Sequence, residues 1–165
     1  MNEKLTHLDE GGQARMVDVG DKPVTRRRAV AEGRVRISAK LAEAIEANAL
    51  AKGNLLEVAR LAGIQAAKRT DELIPLCHGL PLDAVQVEAW LAEGYVHLRA
   101  EASTSWKTGV EMEALTAVSV AALTVIDMGK AIDKAMVIES IRLLEKTGGR
   151  SGNYHAEANR EARDG

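Results

Sequence analysis

Asp127, Lys130 and Lys134 are spaced i, i+3 and i+7, so a helix running through them brings all three to one face. One reading is a surface ion pair, worth about 0.2–0.5 kcal/mol. The other is a seat for acid–base chemistry beside phosphate. The trio follows Ala114 to Ile126, a run with no charge, on a helix expected to be largely buried. Two lysines against one carboxylate there leave positive charge in excess. Lys52 sits beside Gly53 between two expected helices. It either neutralises the negative end of the first helix, worth a few tenths to ~1 kcal/mol, or stands near the start of the second, where an anion binds well. Arg26-Arg27-Arg28 and Lys68-Arg69 are solvated charge unless they converge, in which case they can hold phosphates.

His78 and Cys77 lie in an apolar, proline-punctuated stretch, residues 70–82. There a histidine is either a hydrogen-bonded core residue or a proton-transfer group suited to neutral pH. Cys77 reads most simply as a small apolar filler. Glu111 and Glu113 are two apart and point about 200° away from each other on a helix, so they cannot both face one small substrate. Glu111 is accounted for by a capping box with Thr108, which leaves Glu113 as the one without a structural task. Glu113 and Asp127 are separated by about 21 Å at the helical rise. One small molecule does not reach both. A site that uses both ends therefore joins two subunits, with two such helices antiparallel about a two-fold axis.

The elements that must position these groups follow from patterning. Val30, Val35 and Ile37 mark a strand over 29–37, interrupted near Gly33. Ser38 caps a helix over 39–50, and Asn54 with Glu57 opens a second helix to about Arg69. Leu55, Val58, Leu61, Ala62 and Gln65 line one side of it. Residues 85–91 and 96–102 alternate apolar and polar across Ala92-Glu93-Gly94, a β-hairpin. The helix after Thr108 is apolar all round and needs cover on more than one side, which points to an oligomer interface. Met136 to Leu144 reads as a last strand, followed by the glycine-rich turn 146–152. The order predicts an α+β, ferredoxin-like β-α-β-β-α-β fold with an antiparallel sheet, an extra helix and an N-terminal arm. Residues 1–25 are expected to form a flexible N-terminal arm, 26–152 a single domain that carries the site, and 153–165 a disordered tail.

Composition excludes several classes. The chain has 165 residues, a net charge of −2 and 2% aromatic residues with no Phe. A generally basic nucleic-acid-coating protein is excluded, and there are too few aromatics for base-stacking platforms. No uncharged apolar run reaches the length of a membrane span, and the first ten residues carry no signal-peptide core. One cysteine rules out an internal disulfide framework and fits a reducing cytoplasmic setting.

Five strings occur in order: Met-Val-Asp-Val (16–19), Ala-Gly-Ile-Gln-Ala-Ala-Lys-Arg-Thr (62–70), Leu-Ile-Pro-Leu-Cys-His (73–78), Thr-Gly-Val-Glu-Met-Glu-Ala-Leu-Thr-Ala (108–117) and Asp-Met-Gly-Lys-Ala (127–131). Together they resemble the cyclic pyranopterin monophosphate synthase family, the C protein of molybdenum cofactor biosynthesis, over residues 5–153. The resemblance implies a lyase that converts 3′,8-cyclo-7,8-dihydroguanosine 5′-triphosphate to cyclic pyranopterin monophosphate and releases pyrophosphate. It implies no cofactor, and a cytoplasmic homohexamer, a trimer of dimers, with active sites at the dimer interface. Carried over residue by residue, it implies that Asp127, Lys52 and Lys130 are catalytic, and the chemistry of imidazole adds His78 to them as a proton donor or acceptor. Leu76, Cys77, His78, Met112 and Glu113 contact the substrate, Asp18 and Arg27 approach it from the arm, and Lys68 joins the cations for its triphosphate. Gly129 stands where the family often has Cys, a choice attributed to helix packing. The competing reading is a non-catalytic, nucleotide-binding oligomeric module of the same fold, which needs the cations but not Asp127.

Overall fold

The computed structural model describes residues 8–9 and 11–157. Alternation sets the first strand, β1 (Thr25–Arg36). Ala29, Ala31 and Val35 are buried on one face, and Arg28, Glu32 and Arg34 form ion pairs on the other. The strand begins earlier than patterning suggests and absorbs the three arginines. Alternation then sends Arg27 to one face and Arg26 and Arg28 to the other, so the run does not act as a block. Gly33 does not break the strand; it falls at a register irregularity against the last long strand.

Ser38 accepts a hydrogen bond from the Leu41 N–H and starts α1 (Ala39–Glu46). The helix stops short of Lys52 because Asn48 takes a positive φ of 49°. Asn54 caps α2 (Leu55–Ala67) through the Glu57 N–H, as its spacing predicts. The buried face of α2 is a correction: it carries Leu55, Ala59, Gly63, Ala66 and Ala67, while Val58 and Leu61 are exposed. Small residues win here because the next long helix lies very close. A Cβ on Gly63 would stand 2.9 Å from the Ala117 carbonyl oxygen.

One short turn, α3 (Thr70–Leu73), opens the apolar connection, and Leu80 and Leu82 pack its far end onto the core. The hairpin is β2 (Ala84–Ala92) and β3 (Tyr95–Trp106), turned by Glu93 and Gly94, both at positive φ. The long helix is α4 (Glu111–Gly129). No side chain caps it; Glu111 does not form the expected box with Thr108, because its carboxylate pairs with Lys146 at 3.0 Å. The helix ends at Gly129, where a Cβ would meet Leu41 Cδ2 at 2.7 Å, so glycine does answer to packing there. Lys134 lies beyond that end and does not share a helical face with Asp127, contrary to the spacing argument.

The last elements are β4 (Val137–Thr147) and β5 (Tyr154–His155), which pairs with β4 where a disordered tail is expected. The rest of that tail, residues 158–165, lies outside the described residues, as do arm residues 1–7 and 10. The antiparallel sheet runs β2-β3-β1-β4-β5, the ferredoxin-like order with one added edge strand. α4 packs on β1, β3 and β4 with one side and on α2 with another. Much of its apolar surface is thus covered within the chain, by the sheet and by α2. Its 19 residues are apolar enough to cross a bilayer by length, but here they form the centre of a folded core. Leu123 remains 58% exposed.

Candidate active site

The C-terminal end of α4 carries the first group. Asp127 Oδ1 accepts from Lys130 Nζ at 2.7 Å, and Asp127 Oδ2 accepts from Lys52 Nζ at 2.9 Å. Lys52 also donates to the Asp127 backbone carbonyl at 2.9 Å. The loop after α1 and the end of α4 thus meet at one carboxylate, though 75 residues separate them. Lys130, then Lys52, pull the Asp127 carboxyl down to about 2. The trio stands in the open in a single chain, with side chains half exposed or more, and is not buried as the sequence suggests.

The other end of α4 carries the second group. Leu76, Cys77 and His78 from the apolar connection line a hollow with Met112 and Glu113. Arm residues Val17, Val19 and Lys22 line it as well. Glu113 is only 4% exposed. Burial, with the like charges of Glu111 and Asp71, pushes its carboxyl up to about 7. Burial and the charges of Glu113 and Asp71 push the Cys77 thiol up as well. His78 Nε2 meets the Val17 carbonyl at 2.6 Å. A carbonyl only accepts, so this nitrogen donates, and in the neutral ring Nδ1 is the acceptor.

A second hollow shares Lys22, Thr108, Gly109 and Glu111 with the first and continues it. Its cations are Lys22, Arg27, Lys107, Lys146 and Arg150. Apart from Arg27, sequence reasoning passes over these. The signal was present in the turn Lys146-Thr147-Gly148-Gly149-Arg150, where a pair of glycines is flanked by two cations. Gly149 has a φ of +81°, and a Cβ there would strike the Arg27 guanidinium at 2.2 Å. The missing side chain leaves room for the Arg27 guanidinium beside the turn.

Other expected residues stay apart. Lys68 ends α2, is exposed, and lines neither hollow. Asp18 spends Oδ1 on the Gly20 N–H at 2.8 Å and also lines neither, although Val17 and Val19 beside it do. Asp127 and Glu113 occupy opposite ends of one 19-residue helix. One chain therefore does not bring its two groups together.

Glu113 leads to a first prediction. Its folded carboxyl titrates above its ordinary value of 4.5, so the folded protein binds more protons than the unfolded one between pH 4.5 and about 7. Ionising it in the core costs stability progressively as pH rises through that window. Wild-type Tm should fall there relative to Glu113→Gln, in calorimetry at matched ionic strength. Parallel Tm curves for the two proteins across the window would refute the burial argument.

The profile of the MoaC family matches residues 16–149 of the chain. A protein of Novosphingobium aromaticivorans named cyclic pyranopterin monophosphate synthase is 57% identical over 157 residues, 94% of this chain and 99% of its own length. Proteins of the same name from Parvibaculum lavamentivorans and Thermomicrobium roseum are 56% and 58% identical, covering 94% and 93% of this chain and 98% and 94% of their own lengths.

Proposed function

The chain belongs to the MoaC family, and from that membership we propose its activity: it is a cyclic pyranopterin monophosphate synthase, a lyase of molybdenum cofactor biosynthesis. The substrate is 3′,8-cyclo-7,8-dihydroguanosine 5′-triphosphate. Its purine-derived rings are rebuilt into the pyranopterin, and closure of a cyclic phosphate expels pyrophosphate. The observation that carries the reading is a basic hollow continuous with one that holds His78, Cys77 and a buried Glu113.

Each half suits part of this chemistry. When a substrate hydroxyl attacks the innermost phosphorus, its proton must leave, a P–O bond forms and the bond to pyrophosphate breaks. Lys22, Arg27, Lys146 and Arg150 stabilise the charge that gathers on the leaving pyrophosphate. Ring opening and reclosure move protons on and off nitrogen and oxygen. A carboxyl titrating at about 7 both gives and takes protons near neutrality. His78 Nδ1 adds an acceptor. Asp127, ionised between Lys52 and Lys130, supplies a carboxylate of fixed position and two ammonium donors.

The complete site unites the Asp127 group of one chain with the Glu113 group of another, in a dimer that assembles as a homohexamer of three such pairs. Leu123, one turn before Asp127 on the same helical face, is exposed, as are Val58 and Leu61 of α2. These apolar residues are a surface a second chain would cover. The free thiol of Cys77 suits a reducing cytoplasm. The test is turnover of the cyclic triphosphate, with pyranopterin and pyrophosphate followed together. Both should appear in equal amounts. Binding of the triphosphate without either product would replace the enzyme with the non-catalytic binding module.

A further inference from the structure

Val17, Val19 and Lys22 come from coil that precedes β1, yet they wall the acid hollow, and Lys22 also reaches the basic one. Coil has no ladder of its own to hold it, so other groups must fix these residues in place. Inside the arm, Asp18 Oδ1 accepts from the Gly20 N–H at 2.8 Å and the Lys22 N–H donates to the Val19 carbonyl at 3.1 Å. Those bonds fold residues 18–22 into a turn but do not attach it to the body of the protein. Attachment comes from two side chains. His78 donates to the Val17 carbonyl, and Lys107 Nζ donates to the Gly20 carbonyl.

Lys107 is itself well placed for this. It follows the last residue of β3, and its backbone carbonyl accepts from Arg27 Nη2 at 3.2 Å, while the Trp106 carbonyl accepts from Arg27 Nε at 3.1 Å. Arg27 thus ties β1 to the β3–α4 connection, and Lys107 carries that rigidity across to the arm. Its ammonium is the one side-chain donor outside the arm that reaches the turn 18–22 among the described residues.

We infer that Lys107 is a positioning residue of the active site: its ammonium clips the arm at Gly20 and so holds Lys22 where the two hollows meet and Val19 against the acid one. The inference rests on reading those hollows as one substrate site. It assigns Lys107 to the arm and not to direct capture of substrate phosphate, and that difference is measurable without substrate.

Amide hydrogen exchange of the ligand-free protein is compared with steady-state kinetics on the same preparations. In Lys107→Met, exchange across residues 17–22 should be about tenfold faster, the loss expected of one charged-donor hydrogen bond holding a local segment. KM for the cyclic triphosphate should rise by a similar factor, with kcat changed far less. Lys107→Arg keeps a donor and should restore both. Lys22→Met should raise KM with no change in arm exchange, the behaviour of a contact. Unchanged exchange in Lys107→Met overturns the clip, and if KM still rises Lys107 is a phosphate contact like Lys22. A wild type that makes no product defeats the synthase reading alone, since the exchange result still decides the clip.

Discussion

Asp127→Asn is expected to lower kcat for pyranopterin formation by about 10²–10⁴-fold, the range for loss of a positioned acid–base group. The asparagine is nearly isosteric and still accepts hydrogen bonds, but it carries no charge. Lys52 and Lys130, which now converge on one carboxylate at 2.9 and 2.7 Å, would face each other without a counterion. The effect should therefore exceed the loss of one proton acceptor and should fall on kcat more than on KM. Folding should be little affected at neutral pH, because the trio is exposed. The pair's pH signature has a definite sign. The folded carboxyl lies below its ordinary 3.8, at about 2, so its contribution to stability is present above that ordinary value and lost as pH falls toward 2. It follows that any loss of activity between pH 5 and 7 belongs to a group other than Asp127, and the Glu113 carboxyl, pushed up to about 7, is a candidate. Full turnover by Asp127→Asn, measured in single-turnover assays, would remove Asp127 from the chemistry.

The second large effect is recovery of activity from two inactive proteins. Asp127→Ala breaks the group at the C-terminal end of α4, and His78→Ala breaks the hollow near its N-terminal end. In a two-chain site, a mixed dimer places both lesions in one site and leaves the other intact. Random exchange at equal amounts should then restore about a quarter of wild-type turnover. Mixing Lys52→Ala with Asp127→Ala should restore nothing, because those residues meet in the same chain. The contrast between the mixtures is the test, with subunit exchange verified by mass-tagged chains. No recovery from the first mixture despite exchange would mean that each chain completes its own site, and the dimer argument from the length of α4 would fail.

What was legible in the chain was mostly local. Ser38 and Asn54 cap α1 and α2 because an N-cap needs only a side chain and an N–H a turn away. The hairpin was legible because alternation and a glycine turn are short-range signals. The five strings carried the family, and the distance between Glu113 and Asp127 was legible because both fall on one long helix.

Tertiary structure decided the rest, wherever a distant partner could outcompete a near one. Glu111 had the spacing of a capping box but took Lys146, from a strand that only the folded sheet brings beside it. α2 turned Ala59, Gly63 and Ala66 inward and left Leu61 outside, because close approach to α4 admits small side chains and excludes large ones. Lys134, a helical neighbour of Asp127 by count, was lost when packing of Gly129 on Leu41 and Met136 ended the helix. Lys52 reached Asp127 across 75 residues, and five scattered cations became one basic hollow. By itself the sequence determined the elements, their order and the kind of chemistry, since these depend on neighbours within a few residues. Which charges meet and which faces close depended on distances that exist only after the sheet and the helices have packed.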